Sequence, residues 1–258
     1  MYKMSIKISF KKNISLKLVK NYVLFCNEEF KIFGLDSLSI KNHSKFIKKT
    51  ILSNKSKKTE HLMFNLNPEQ KIILIKIDQK KSALDNEKNG AKFYNFLKTN
   101  MILNSTFLEK NIRETDKRNN LFFNEFLHGA QIKSYKFDKY KSKNEKRIFE
   151  ININTYSNYL SLSKRDKFNS LLEGTNLTKD LVSEPGNVLH PDEYAKRLIQ
   201  LKKYGLKVVV YDKKKLKKLK MNALLGVGQG SIRGSYLVTI EWKGLRNNSK
   251  PLAFVGKG

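Results

Sequence analysis

Lys257 is the residue whose setting most clearly suggests chemistry. It stands between Gly256 and Gly258, directly after the apolar residues Ala253, Phe254 and Val255. The apolar run predicts a buried strand over 251–255, and a strand that leads into glycines delivers its next side chain to a site at the strand end. We therefore expect Lys257 to serve a site whose other groups lie mostly beyond residue 258.

Two glycine patterns invite a nucleotide-binding interpretation and fit it poorly. Gly226, Gly228 and Gly230 form a glycine cluster, with Gly234 after it. A dinucleotide fingerprint opens a helix on its third glycine, and here the cluster is followed by Ser231 and a predicted strand, which favours a turn. A phosphate loop around Lys257 would need glycine at position 251 and a hydroxyl residue at 258. Those positions hold Pro251 and Gly258.

The remaining reactive residue types form no recognisable catalytic or metal-binding pattern. The histidines are scattered and no Cys/His cluster occurs, so neither a zinc helix nor a structural zinc site is supported. No G-x-S-x-G elbow is present, which removes the support for a serine hydrolase of the α/β type. We expect each histidine to be an ordinary surface or hydrogen-bonded residue. The four are His43, His61, His128 and His190.

The net charge of +29 suggests a polyanion partner, but the ratio of lysine to arginine favours an ordinary solvated surface. The chain has 45 lysines and 7 arginines, spread along its length. Arginine supplies most base-specific contacts, and lysine, asparagine and isoleucine are the residues of AT-rich codons. The composition therefore favours a solvated lysine surface with weak, salt-sensitive and non-specific nucleic-acid binding.

Composition predicts a cytoplasmic protein with a packed core. Apolar residues make up 40% of the 258 positions, which is enough for one large domain or two smaller ones. No apolar run approaches a membrane span, the first residues carry no signal-peptide pattern, and we expect no membrane partner. Cys26 is the single cysteine, so an internal disulfide is excluded and a reducing compartment is consistent.

Alternating strand and helix signals predict an α/β fold. We place one domain over residues 1–155, and a linker helix with the start of a second domain over 156–258. The first domain has predicted strands at 6–10, 22–26, 61–66, 71–77 and 147–153, with helices at 91–97 and 120–132. The second has a helix at 168–182 that Asp166 could cap, a helix that starts with Pro191 and closes at Gly205, strands at 206–211, 236–242 and 251–255, and a short helix capped by Asp212.

Three blocks in the last 80 residues carry a resemblance to a known family. They are residues 179–191 (KDLVSEPGNVLHP), 222–231 (NALLGVGQGS) and 252–258 (LAFVGKG), with weaker support from 135–141 (YKFDKYK). In this order and at these intervals the chain closely resembles the leucyl (cytosol) aminopeptidase family. Before residue 120 the resemblance is one of domain order alone.

The resemblance implies a two-domain metalloenzyme. Its N-terminal α/β domain would be macrodomain-like and non-catalytic, and its catalytic domain would hold two divalent metal ions, Mn²⁺ or Zn²⁺, in a homo-hexamer that acts on peptides. Lys257 maps onto one of five metal-binding side chains, while the other four and both catalytic groups lie beyond residue 258. Paired metals can activate a water, polarise the scissile carbonyl and anchor the free amine of the peptide, and a lysine ligates only after losing its proton.

Three hypotheses follow from the sequence. In the first, the chain is the N-terminal part of a leucine-preferring aminopeptidase of intracellular protein turnover, inactive by itself. In the second, it is a basic module whose macrodomain-like half binds nucleic acid or a nucleotide. In the third, it is a non-catalytic subunit that joins hexamers of an intact relative.

Overall fold

The computed structural model describes residues 3–12, 14–54, 59–78, 80, 82–116, 121–142, 147–156, 162–244 and 250–257. It is an α/β fold, as the alternating signals predict. Contacts divide the chain into two compact units, unit 1 (Met1–Thr178) and unit 2 (Lys179–Gly258). Helix α5 (Leu162–Ser183) runs across this division, and the functional boundary after residue 155 stays a prediction.

Unit 1 is built on a six-stranded mixed sheet. Its strands are β2 (Ile6–Lys12), β3 (Asn21–Cys26), β4 (His61–Asn65), β5 (Lys71–Lys76), β6 (Asn104–Leu108) and β8 (Phe149–Thr155), and its helices are α1 (Ser44–Ser53), α2 (Ala83–Thr99), α3 (Glu109–Asp116) and α4 (Phe122–Ser134). The strand order is β2-β8-β6-β3-β5-β4, and only the β4–β5 pair is antiparallel. Two short strands, β1 (Lys3–Met4) and β7 (Tyr135–Lys136), pair separately.

The central strand β3 shows why these residues form a sheet with two cores. All of Tyr22–Cys26 is buried, which is the pattern of a parallel strand covered on both faces. Because side chains alternate along a strand, Val23 and Phe25 join the core under α2 and α4, whereas Leu24 and Cys26 join the core under α1.

Helices α2 and α4 cover the first face at very short range. Ser82 caps α2 through a capping box with Asp85. A Cβ atom added at Gly129 would lie 2.6 Å from the Cα atom of Glu87, and one added at Gly90 would lie 2.7 Å from the carbonyl carbon of Phe126. These two glycines therefore let the helix backbones touch.

The described part of unit 2 contains three short α-helices, one 3-10 turn and one antiparallel strand pair. After the end of α5 come α6 (Pro191–Ile199), a 3-10 turn (Gln200–Tyr204), β9 (Lys207–Tyr211), α7 (Lys213–Lys218), α8 (Asn222–Val227) and β10 (Leu237–Glu241). Strands β9 and β10 pair over their full length. Gly205 closes the 3-10 turn with a φ of 81°, and Asp212 caps α7 by accepting a hydrogen bond from the Lys215 amide, both as predicted.

Three local predictions for residues after 156 are wrong. Residues 251–257 form no strand, and the side chains of Phe254 and Val255 are 89% and 99% exposed. In the described part of the chain no neighbouring strand forms hydrogen bonds with this segment, and a strand is not stable without such a neighbour. Residue Asp166 lies inside α5, which begins at Leu162, so it does not cap that helix. Gly226 belongs to helix α8, and the turn begins only after Val227.

Candidate functional site

The segment between α5 and α6 is fixed by charged side chains of α6, with Glu193 in its first turn and Arg197 in its last turn. Arg197 donates to the carboxylate of Glu184 at 2.9 Å and to that of Glu193 at 3.1 Å. The Glu184 side chain is only 3% exposed, and a buried carboxylate is stable only when it is paired. Arg197 therefore ties the chain before the turn to the helix after it.

The start of α6 carries a second charged group of three residues. Pro191 occupies the first helical turn, as predicted, and His190 precedes it in an extended conformation. The Asp192 carboxylate contacts the His190 ring and accepts a hydrogen bond from Arg233 at 3.3 Å. Desolvation acts to raise the pKa of Asp192, but hydrogen bonds from its own backbone and from His190, with the charge of Arg233, hold that pKa below its usual value.

The glycine-rich turns connect these helices to the strand pair. Helix α8 ends at Val227, and a turn stabilised by the hydrogen bond from the Ser231 amide to the Gly228 carbonyl follows it. A Cβ atom at Gly228 would collide with the hydroxyl of Ser235, so this glycine permits a close approach of the chain to itself. Gly228 and Gly230 thus lie in the turn that leads to β10, as the sequence predicts, whereas Gly226 belongs to α8.

Lys257, the predicted metal ligand, is exposed in a segment without regular structure. Among the residues that the structure describes, no group of three or more His, Cys, Asp or Glu side chains is arranged to hold a metal ion. A lysine alone cannot hold two divalent metals, since a dinuclear site needs carboxylates to bridge and balance the charge. The described residues therefore do not form the implied dinuclear site, and we derive no catalytic step through it.

Each of the four histidines has its own local surroundings in the structure. His43 is exposed on a 3-10 turn, His128 contacts Glu87 at 2.8 Å, and His190 contacts Asp192. His61 stacks on Phe96, with ring centroids 4.9 Å apart, and burial lowers the pKa of its imidazole to about 4. Each ring thus has a local structural environment of its own.

Comparison with known proteins identifies the segment that contains these features. Residues 176–258 match the model described as the cytosol aminopeptidase family, catalytic domain. This part of the chain matches the cytosol aminopeptidase family. The match covers the segment on which the sequence blocks at 179–191, 222–231 and 252–258 carry the resemblance, and it confirms that resemblance there.

Curated relatives agree with the cytosol aminopeptidase match. A probable cytosol aminopeptidase of Phytoplasma australiense is 47% identical over 136 residues, and one of Wolbachia pipientis wMel is 42% identical over 137 residues. These alignments cover 52% and 51% of this chain, and 27% of each relative. The chain therefore aligns with only about a quarter of the length of the curated relatives it matches.

Solved structures share the fold over most of this chain. A tomato leucine aminopeptidase mutant superposes with a TM-score of 0.67 at 17% sequence identity, over 91% of this chain and 50% of that one. The bottromycin maturation enzyme BotP gives a TM-score of 0.62 at 15% identity, over 87% and 46%. Along the described ranges, no helix has the length and apolar character of a membrane span.

Proposed function

We propose that this chain supplies the N-terminal domain and the first part of the catalytic domain of a metal-dependent aminopeptidase. The observation that carries the proposal is the match of residues 176–258 to the cytosol aminopeptidase catalytic domain. The enzyme would release N-terminal amino acids from peptides, with leucine preferred, in the cytoplasm. Two divalent ions, Mn²⁺ or Zn²⁺, and assembly into homo-hexamers belong to the same proposal.

Within this proposal unit 1 is a macrodomain-like, non-catalytic domain and Lys257 is a metal ligand. The support for Lys257 is its place in the block LAFVGKG at 252–258, inside the matched segment. Its ammonium group would have to lose a proton to a bound dication, with carboxylates from further sequence completing the site. The 258 residues by themselves are then expected to hydrolyse no peptide bond.

The charged groups of α6 have a positioning role in this proposal. Arg197 joins Glu184 to Glu193, and Arg233 joins the turn after α8 to Asp192. Together these pairs fix the segment 184–192 to α6 and to the turn after α8, all within unit 2 and within the matched residues 176–258. None of these residues is proposed to touch the peptide.

Two experiments test the proposal at different levels. The nucleotides that follow the Gly258 codon in the genome should encode acidic metal ligands soon after the V-G-K-G sequence. The purified 258-residue chain should leave a leucyl amide uncleaved in the presence of Mn²⁺ or Zn²⁺. A genomic reading frame without acidic ligands would contradict the aminopeptidase, whereas cleavage by the 258-residue chain would contradict only its predicted inactivity.

A second candidate function, polyanion binding, rests on the charge of unit 2. Helix α7 and the two residues after its end carry six lysines within eight positions of a chain with a net charge of +29: Lys213, Lys214, Lys215, Lys217, Lys218 and Lys220. Such a surface attracts nucleic acid through counterion release. If binding to a DNA duplex is only non-specific and electrostatic, its affinity should be largely lost by about 200 mM salt. Sequence-specific binding that persists at higher salt would favour this function.

A further inference from the structure

Two cavities of different chemistry lie at the carboxyl edge of the unit 1 sheet. The first, of about 310 Å³, is lined by the carboxylates of Glu28, Glu60 and Asp78 together with His61 and Lys76. The second, of about 220 Å³, is lined by no carboxylate of the described residues. Its lining consists of hydroxyl, ammonium and apolar groups from Ser37, Leu38, Ser39, Lys41, Leu108, Lys110 and Tyr156.

The second cavity, which we call the lysine cavity, lies beside a reversal of strand order. The chain leaves β3 towards α1 on one face of the sheet, and it leaves β6 towards α3 and α4 on the other. In open α/β sheets ligands bind at such switch points, outside the carboxyl ends of the strands. The lysine cavity includes Leu108, the last residue of β6, and Lys110, in the first turn of α3.

The crevice between β3 and β6 is itself closed by a side chain. Asn111 is fully buried and accepts a hydrogen bond from the Phe25 amide at 2.7 Å. It also donates to the carbonyl oxygens of Phe25 and Phe33, at 3.1 and 2.8 Å. Because Asn111 occupies the crevice, a ligand at this edge of the sheet would have to bind beside the crevice, where the lysine cavity lies.

One wall of the lysine cavity is formed by residues that flank two buried side chains. Leu38 and Ile40 are buried in the core beneath α1. The residues beside them, Ser37, Ser39 and Lys41, are exposed and line the cavity. The buried leucine and isoleucine thus anchor the wall that carries the polar groups.

The polar groups of the lysine cavity are hydrogen-bond donors with free capacity. Neither Lys41 nor Lys110 pairs with a carboxylate in the described part of the chain, and the Ser39 hydroxyl has no partner there. The Tyr156 hydroxyl accepts a hydrogen bond from Asn154 at 3.1 Å, which leaves its hydrogen free to donate.

The Glu109 carboxylate, which precedes Lys110 in the chain, is buried and paired. Its side chain is 2% exposed, and it accepts hydrogen bonds from the Thr155 hydroxyl at 2.6 Å, from Arg113 at 2.7 Å and from the backbone amide of Tyr156. Arg113 balances its charge. Among the described residues that line the cavity, the charged groups are the two ammonium groups of Lys41 and Lys110, which favour a ligand with more than one negative charge.

We propose that the lysine cavity binds a small molecule that bears a phosphate group, held by Lys41, Lys110 and the hydroxyls of Ser39 and Tyr156. Phosphate oxygens accept hydrogen bonds from ammonium and hydroxyl groups, and the first-turn amides of α3 add positive potential. The volume is below the roughly 300–1,000 Å³ of drug-sized sites, so a phosphate with a short organic group fits and a whole dinucleotide does not. The proposal does not depend on the aminopeptidase function.

The test is a titration of the full chain with inorganic phosphate and glycerol phosphate, followed by amide NMR at constant ionic strength. Saturable shifts are expected at Ser39 and Lys110 with a Kd in the low millimolar range, about −4 kcal/mol. The double variant Lys41→Ala/Lys110→Ala should bind at least about tenfold more weakly. The matched control Lys48→Ala/Lys49→Ala removes two exposed charges from α1 and should change the Kd by less than about twofold.

The outcomes separate the sources of binding. Tighter binding of glycerol phosphate than of inorganic phosphate would identify a phosphate ester as the ligand, and equal affinities would identify free phosphate; both support the site. Equal weakening in the two double variants, or shifts spread over the lysine surface without saturation, would overturn it. The variant Ser39→Ala, which keeps every charge, should also weaken binding, and unchanged affinity would contradict the assigned hydroxyl contact.

Discussion

The contact between helices α2 and α4 predicts an unusual effect of a glycine-to-alanine change. In an exposed helix interior this change stabilises by about 0.5–1 kcal/mol, because alanine has the higher helix propensity. At Gly129 the added Cβ atom would lie 2.6 Å from the Glu87 Cα atom and closer still to the Glu87 carbonyl oxygen. Carbon atoms pack at about 3.5–4.0 Å, so the two helices would have to separate by about 1 Å.

The magnitude follows from the packing on both sides of this contact. Separating α2 from α4 loosens Phe93, Phe123 and Phe126, which are fully buried in one core. Overpacking of a core costs about 1–3 kcal/mol, which exceeds the gain in helix propensity. We therefore expect Gly129→Ala to destabilise unit 1 by about 2 kcal/mol, or to lower its Tm by about 4–8 °C for a unit of this size.

A matched control lies on helix α5. A Cβ atom at Gly174 would meet no atom within 4 Å, so Gly174→Ala should be neutral or stabilising. Thermal unfolding followed by circular dichroism compares the two variants in the full chain. If Gly129→Ala proves as stable as Gly174→Ala, the inferred contact between the helix backbones is wrong.

Three further predictions concern buried groups. Cys26 is fully buried, and burial raises the pKa of its thiol to about 12; it should resist alkylation at pH 8 in the native chain and react after unfolding in guanidinium. His61 has its pKa lowered to about 4, so only the unfolded chain binds this proton between pH 6.5 and 4. Unfolding free energy should therefore fall by about 2 kcal/mol as pH drops through that window, and His61→Phe should remove most of this slope. Arg197→Met leaves the buried carboxylate of Glu184 without its arginine and should destabilise unit 2 by about 3 kcal/mol in urea unfolding. Glu193→Gln should cost less than about 1 kcal/mol. Equal losses of stability in the two variants would contradict the greater contribution of the Arg197–Glu184 pair.

Much of the fold could be predicted because its signals are local. The hairpin of β4 and β5, the buried run of β3, the proline at the start of α6 and the Asp212 cap each depend on a few adjacent residues. Periodicity and capping chemistry act at that range. The structure therefore confirms these elements to within a few residues at each end.

Elements whose stability is non-local could not be predicted from the sequence. Strand β6 contains Asn104, Ser105 and Thr106 and has little apolar pattern, yet it lies in the sheet between β8 and β3. Helix α3 contains mostly polar residues and buries Glu109 and Asn111. The burial of these polar side chains is explained by the neighbouring strands and by the hydrogen bonds that the side chains make. Local periodicity in the sequence predicts neither the strand neighbours nor the hydrogen bonds.

The opposite error occurred at residues 251–255. Their apolar composition suits a strand, but composition does not supply a hydrogen-bonding neighbour, and the described segment is exposed. The site was predicted from motif and resemblance at Lys257 alone. The lysine cavity was not predicted, because Ser39, Lys110 and Tyr156 meet only through the topology of the sheet.

The role of Lys257 in a metal site can be measured in a graft. Residues 1–258 would be joined to the remaining sequence of the Phytoplasma australiense relative, whose matched part is 47% identical. Hydrolysis of leucine p-nitroanilide would be followed with Mn²⁺ present, beside the variant Lys257→Met and the control Lys250→Met. We predict an active graft in which Lys257→Met lowers kcat/KM by at least about a hundredfold and Lys250→Met has little effect. A folded graft without activity, or one that keeps its activity after Lys257→Met, would contradict the account.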